Sequence, residues 1–207
     1  MEHFPYEGAG FLLSFQDKVI LGQRIKKASD LAKDPTIELE YMGGKVDVED
    51  CNDPYRTAYA ELVEELGMNV LESNWHDRVK VVHIFQPFSK HWIWCFCLEL
   101  TAQEYDRVQE ACQQLLEWPE NETRSFDGRG TPARKSIQRL VAIPKDGFQA
   151  HLDAFRAFPD QNNGNRMKDA KDFREVSRLS GKDILTGELV EHPLRAFNAV
   201  MFEKNLY

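Results

Sequence analysis

The chain has 207 residues, 42% hydrophobic and 29% charged, with a formal net charge of −8. That length suffices to bury a substantial core in one domain. So acidic a balance argues against sequence-independent binding of long nucleic acid through an overall positive field. No signal-peptide pattern opens the chain and no apolar run reaches about 18 residues, so no membrane partner is expected and a cytoplasmic location is the default. The four cysteines, Cys51, Cys95, Cys97 and Cys112, lack a zinc-like spacing and read as reduced thiols.

Gly8 to Phe15 and Val19 to Arg24 read as short apolar strands. Gln16-Asp17-Lys18 between them suits a tight turn, so the two predict a hairpin. Ile25 to Pro35 is polar, carries Lys26, Lys27 and Lys33, and reads as an extended loop. Ile37 to Met42 is a further strand candidate, followed by an expected turn at Gly43-Gly44.

The next element is a helix whose two ends are both marked. Asp53 is a good N-cap, Pro54 fits the first helical position, and Gly67 falls where a left-handed cap would close the helix. At 100° per residue, Tyr55, Ala58, Tyr59, Leu62 and Leu66 share an apolar stripe. Glu61, Glu64 and Glu65 occupy a neighbouring arc with no Lys or Arg among them. Such carboxylates repel one another, and a divalent cation relieves that repulsion. Their hard oxygens suit Mg2+ or Mn2+.

This stretch resembles the signature of the Nudix hydrolases: Gly, five residues, Glu, seven residues, then Arg-Glu-U-x-Glu-Glu-x-Gly-U, with U aliphatic. Gly44 matches the leading Gly, and Glu61-Leu62-Val63-Glu64-Glu65-Leu66-Gly67-Met68 matches the tail. Ala60 stands where the signature has Arg, and two extra residues separate Gly44 from Glu61. The first signature Glu is therefore open among Glu49, Asp50 and Asp53. The signature's Arg helps to orient a metal-binding Glu; Arg56, one turn earlier, lies well away from the Glu stripe on the wheel.

The resemblance implies an α/β fold: a Nudix-type α/β/α sandwich with a mixed sheet. It makes Glu61, Glu64 and Glu65 metal ligands for Mg2+ or Mn2+, with Glu64 and Glu65 also catalytic. Gly43, Gly44 and Arg24, at the end of the second strand, would face the substrate.

Past the helix, Arg78 to Phe88 and His91 to Leu100 read as a second hairpin turning at Ser89-Lys90. Trp92, Trp94, Phe96, Leu98 and Leu100 share one face of its second strand, and His91, Ile93, Cys95, Cys97 and Glu99 the other. Thr101 and Glu104 form a capping box for a helix to Trp118, with Val108, Leu115 and Leu116 at helical spacing. Glu120 to Thr131 is a polar loop. The resemblance makes its Glu120 and Glu122 candidates for a general base or extra ligand. Ala133 to Ile143 alternates basic and apolar residues, and Asp146 to Phe158 reads as an amphipathic helix with Phe148, Leu152 and Phe155 inward.

Residues 1–158 are thus expected to form the catalytic domain. Residues 159–207 would be a linker and a mainly helical C-terminal extension packed on the core or on a second subunit of a homodimer. The function that the resemblance implies is Mg2+-dependent hydrolysis of a diphosphate linkage in a nucleoside diphosphate derivative or another phosphorylated small molecule. Ala60 supports an alternative, a weak or inactive Nudix-fold module that binds a nucleotide or a protein partner.

Overall fold

A computed structural model describes residues 6–26, 36–46, 53–86, 91–125, 133–150 and 178–193. Strands β1 (Tyr6–Phe15) and β2 (Lys18–Lys26) form the expected hairpin, with Gln16 at the turn in a left-handed conformation, φ 55°. They pair only beside the turn, Leu13 to Phe15 against Lys18 to Ile20, and then part. Strands β3 (Thr36–Glu40) and β4 (Met42–Lys45) run into this fork, β3 on β2 and β4 on β1.

Gly43 and Gly44 are therefore strand residues and not the expected turn. Close approach is what demands glycine at Gly43. A Cβ there would lie 2.5 Å from the Ala9 carbonyl oxygen and from the Cα of Gly10, so the β1–β4 ladder has no room for one.

Helix α1 (Pro54–Leu66) begins and ends where the local chemistry says it should. The Asp53 carboxylate accepts the Tyr55 N–H at 2.9 Å, and Gly67, at φ 76°, donates its N–H to the Val63 carbonyl at 2.8 Å. Strands β5 (Lys80–Gln86) and β6 (His91–Glu99) form the second hairpin, and β6 lies parallel to β1. Helix α2 (Ala102–Glu117) opens on the predicted capping box, but Leu116 is 56% exposed. Its buried stripe is Val108, Ala111, Cys112 and Leu115; at about 100° per residue, position 116 falls roughly a quarter-turn from the centre of that stripe.

After α2 come a two-residue ribbon, β7 (Thr123–Arg124) with β8 (Ala133–Arg134), and then β9 (Ile137–Pro144) antiparallel to β2. The extension differs from the expected helical one where it is described. Residues 178–193 form a hairpin, β10 (Arg178–Asp183) and β11 (Leu189–Pro193), which continues the main sheet from β9. Burial along β10 alternates with period two, with Leu179 and Asp183 inward. Asp183 accepts the N–H groups of Leu185 and Thr186, and Gly187 supplies the left-handed residue of the turn at φ 68°.

The described strands of the main sheet run β11-β10-β9-β2-β1-β6-β5, with β3 on β2 and β4 on β1. It is a mixed sheet. One face packs Phe11, Leu13, Phe96 and Leu98 against Ala58, Leu62 and Leu66 of α1 and against the α2 stripe. The other buries Leu12, Leu21, Cys95, Val141 and Ile143. Among the described residues that second face is covered in part by the helical residues 145–150, whose Phe148 is buried in it. Cys95 and Cys97 share a face as predicted, both thiols free and their Sγ atoms 4.0 Å apart. Leu152, Phe155, the Ser89-Lys90 turn, Lys27, Lys33, Cys51 and residues 159–177 and 194–207 lie outside the described residues. No helix of the described residues is long and apolar enough to cross a membrane.

Candidate functional site

The parting of β1 and β2 determines what lies under α1. Because side chains alternate along a strand, Ile20, Gly22 and Arg24 of β2 face the helix side of the sheet. Glu38 and Glu40 of β3 are paired in register with Arg24 and Gly22. Glu65 comes down onto this surface from α1 and is only 4% exposed.

Arg24 joins the three elements. Its Nη2 donates to Glu65 Oε1, and its Nε lies 3.5 Å from Glu40 Oε2. The Gly43 backbone favours the charged form of the Glu65 carboxylate. Glu65 Oε2 is buried and has no hydrogen-bond partner. Burial pushes the Glu65 carboxyl up to about 8; Arg24 opposes the shift, the charges of Glu61 and Glu40 add to it, and the Gly43 backbone opposes it. The Arg24 guanidinium thus offsets only part of what burial and like charge cost.

Gly44 serves the same surface in a different way. A Cβ on it would lie 2.2 Å from the carboxyl carbon of Glu61, so the Glu61 side chain rests directly on the β4 backbone. Glu64 is half-buried on the same helix. The expected site residues Arg24, Gly43, Gly44, Glu61 and Glu65 therefore meet.

Glu120 and Glu122 lie in a different cluster. Both are exposed residues beyond α2; Glu122 accepts from Arg124 at 3.1 Å, and Lys135 lies near Glu120. Arg124 in turn stacks 4.8 Å over the Trp118 ring. Arg56 is 3.8 Å from Asp53 at the start of α1. Glu49 and Asp50 lie outside the described residues.

Two members of the cluster, Glu38 and Glu40, escape the sequence reading. They are 2% and 6% exposed. The signal was the alternation Ile37-Glu38-Leu39-Glu40, which puts both acids on one face of a strand. It reads as a solvated edge until the fold is known to bury that face.

For a hard divalent cation the donor chemistry fits: carboxylate oxygens, one of them buried and unpartnered on Glu65. Among the described residues, however, no three His, Cys, Asp or Glu side chains stand close enough together to enclose an ion by themselves. Completing such a shell takes further oxygens, from backbone, substrate or water.

No protein-family model matches the chain, and no curated protein does. Among solved structures, it is similar to a NUDIX hydrolase from Nitrosomonas europaea at 15% identity and a TM-score of 0.39. That match covers 70% of this chain and 76% of the other. It is also similar to the E. coli ORF135 protein in its solution structure, at 15% identity and a TM-score of 0.38, over 78% of this chain and 99% of that one.

Proposed function

We propose that this protein is a Nudix-type hydrolase that cleaves a diphosphate linkage in a nucleoside diphosphate derivative or a related phosphorylated small molecule, with Mg2+ or Mn2+ as cofactor. The observation that carries the reading is Glu65: a buried carboxylate with one unpartnered oxygen, beside a Glu61 carboxylate that rests on the Gly44 backbone. A fold that served stability alone would gain by replacing such a residue with an apolar one. Its retention within a stretch resembling the Nudix signature supports a task for the charge.

In this reading Glu61, Glu64 and Glu65 hold the cation, which when bound would offset phosphate charge and acidify a water. Glu64 or Glu65, or Glu120 or Glu122 from beyond α2, would accept the proton of the attacking water. The Gly43 and Gly44 backbone would line the phosphate side of the cleft, and Arg24 would hold the glutamates beneath it.

The alternative is a binding module of the same fold. It is favoured by Ala60 in the signature and by the unassembled ligand shell among the described residues. 31P NMR separates the two. The panel is ADP-ribose, UDP-glucose, a cap analogue, a dinucleoside polyphosphate and a nucleoside triphosphate, each with Mg2+. The enzyme predicts metal-dependent loss of one diphosphate signal that Glu64→Gln/Glu65→Gln abolishes. No turnover of any member at high protein concentration, with the fold intact, would leave the binding module.

A further inference from the structure

Helix α1 carries no basic residue in its last turn, where its glutamates are, and position 60 is alanine. The positive charge on Glu65 comes from the sheet. Arg24 reaches Glu65 through Nη2 and stands 3.5 Å from Glu40 through Nε. Its own backbone is held on both edges of β2. It is in register with Glu38 of β3, and on the other edge the register with β9 slips by one between Gln23 and Arg24, the mark of a bulge. The preceding side chain, Gln23, is tied on the opposite face to His192 at 2.9 Å.

A guanidinium fixed in this way holds one oxygen of the carboxylate with a charge-assisted bond. It takes up one oxygen of Glu65 and leaves the other without a partner.

We propose that Arg24 is a positioning residue: from β2 it clamps Glu65 so that Oε2 stays open for a divalent cation, in a helix whose last turn carries no basic residue of its own. The inference rests on the functional reading above. Without Arg24, the Glu65 carboxylate would lose its side-chain donor and stand among the charges of Glu40 and Glu61, and would turn away from the sheet.

The test is Mn2+ binding, followed by the electron paramagnetic resonance of the free ion, in wild type, Arg24→Gln, Arg24→Lys, Glu65→Gln and Arg24→Gln/Glu65→Gln. Circular dichroism melts check that each variant is folded. Arg24→Gln is expected to weaken Mn2+ binding by about tenfold or more, as loss of a partner that orients a metal ligand does. Arg24→Lys should recover part of the loss, and Arg24→Gln should cost nothing further once Glu65 is Gln.

Unchanged binding in Arg24→Gln would make Arg24 a purely structural counter-ion, and tighter binding would make it a competitor of the cation; either overturns the proposal. An equal loss with and without Glu65 would do so too. If Arg24→Gln fails to fold, Arg24→Lys against wild type decides: affinity equal to wild type overturns the clamp, whereas a partial loss absent in Arg24→Lys/Glu65→Gln supports it. Wild type that binds no Mn2+ and turns over no substrate would instead remove the functional reading, and this inference with it.

Discussion

Among the described residues, Arg24–Glu65 and Arg78–Glu104 each set a buried carboxylate against a partly exposed guanidinium, with opposite results. Glu104, at the start of α2, is 0% exposed and every contact suits it: Arg78 donates to Oε1 at 2.5 Å, the Glu72 N–H to the same oxygen at 2.9 Å, and the Thr101 N–H to Oε2 at 2.9 Å. Glu65, 4% exposed, has Arg24 on one oxygen, no partner on the other, and two more carboxylates nearby. Burial pushes the Glu104 carboxyl up, but the Arg78 hydrogen bond and the two backbone N–H groups outweigh it and leave it below its ordinary value. At Glu65 burial wins. A buried charge with all its bonds made holds a fold together, whereas one left half-bonded marks a place where stability has been given up.

The largest effect expected from this contrast is on turnover. Under the proposed function, Glu65→Gln should lower kcat about 10³-fold or more, since it removes a cation ligand at the reacting phosphate. It should leave the melting temperature near or above that of wild type. Glu104→Gln should leave kcat unchanged. Steady-state rates on whichever substrate the 31P panel selects, beside thermal melts, check both; a Glu104→Gln enzyme as slow as Glu65→Gln would erase the distinction.

Next in size is the stability cost at the satisfied pair. Glu104→Ala takes from Arg78 its nearest carboxylate, leaving the Glu99 carbonyl at 3.0 Å and the Glu72 carboxylate at 4.0 Å, and removes the acceptor for the Glu72 N–H. Urea unfolding should show a loss of about 3–5 kcal/mol. A loss smaller than that from Glu65→Ala would invert the comparison.

Gly44→Ala should act on the site alone. The atom its Cβ would meet is the end of the flexible Glu61 side chain, which swings aside at little cost to the fold. We expect kcat to fall about 10- to 100-fold through the displaced carboxylate, with a stability change below about 1 kcal/mol.

The contrast also appears in the pH dependence of metal-free protein, where the two glutamates have opposite signs. The Glu104 carboxyl titrates below its ordinary 4.5, so its contribution is fully present above that value and is lost as the pH falls. The stability gap between wild type and Glu104→Gln should narrow below about pH 4.5. The Glu65 carboxyl titrates near 8, above its ordinary 4.5, so the fold prefers it protonated and loses stability as the pH rises between those values. Glu65→Gln, which resembles the protonated form, should gain on wild type from pH 5 to pH 8. Melts in EDTA across pH 3–9 would show parallel curves if the two environments were alike.

Much of this was written locally. The Asp53 and Gly67 ends of α1, the stripe of Ala58, Leu62 and Leu66, the Thr101–Glu104 box and the β1–β2 turn each depend on residues within a few positions of one another, and each was legible as pattern. The Glu61, Glu64, Glu65 arc was legible for the same reason, since helical periodicity alone brings them together. What tertiary structure decided is which charges are buried and beside what. Glu65 meets an arginine 41 positions earlier because the β1–β2 fork admits β3 and β4 beneath α1. The same packing turned Gly43-Gly44 from a turn into a strand, and buried Glu38 and Glu40. The hairpin at residues 178–193 found its place only because β9 offered an open edge. Periodicity and capping are properties of neighbouring residues; the environment of a charge depends on the whole fold around it.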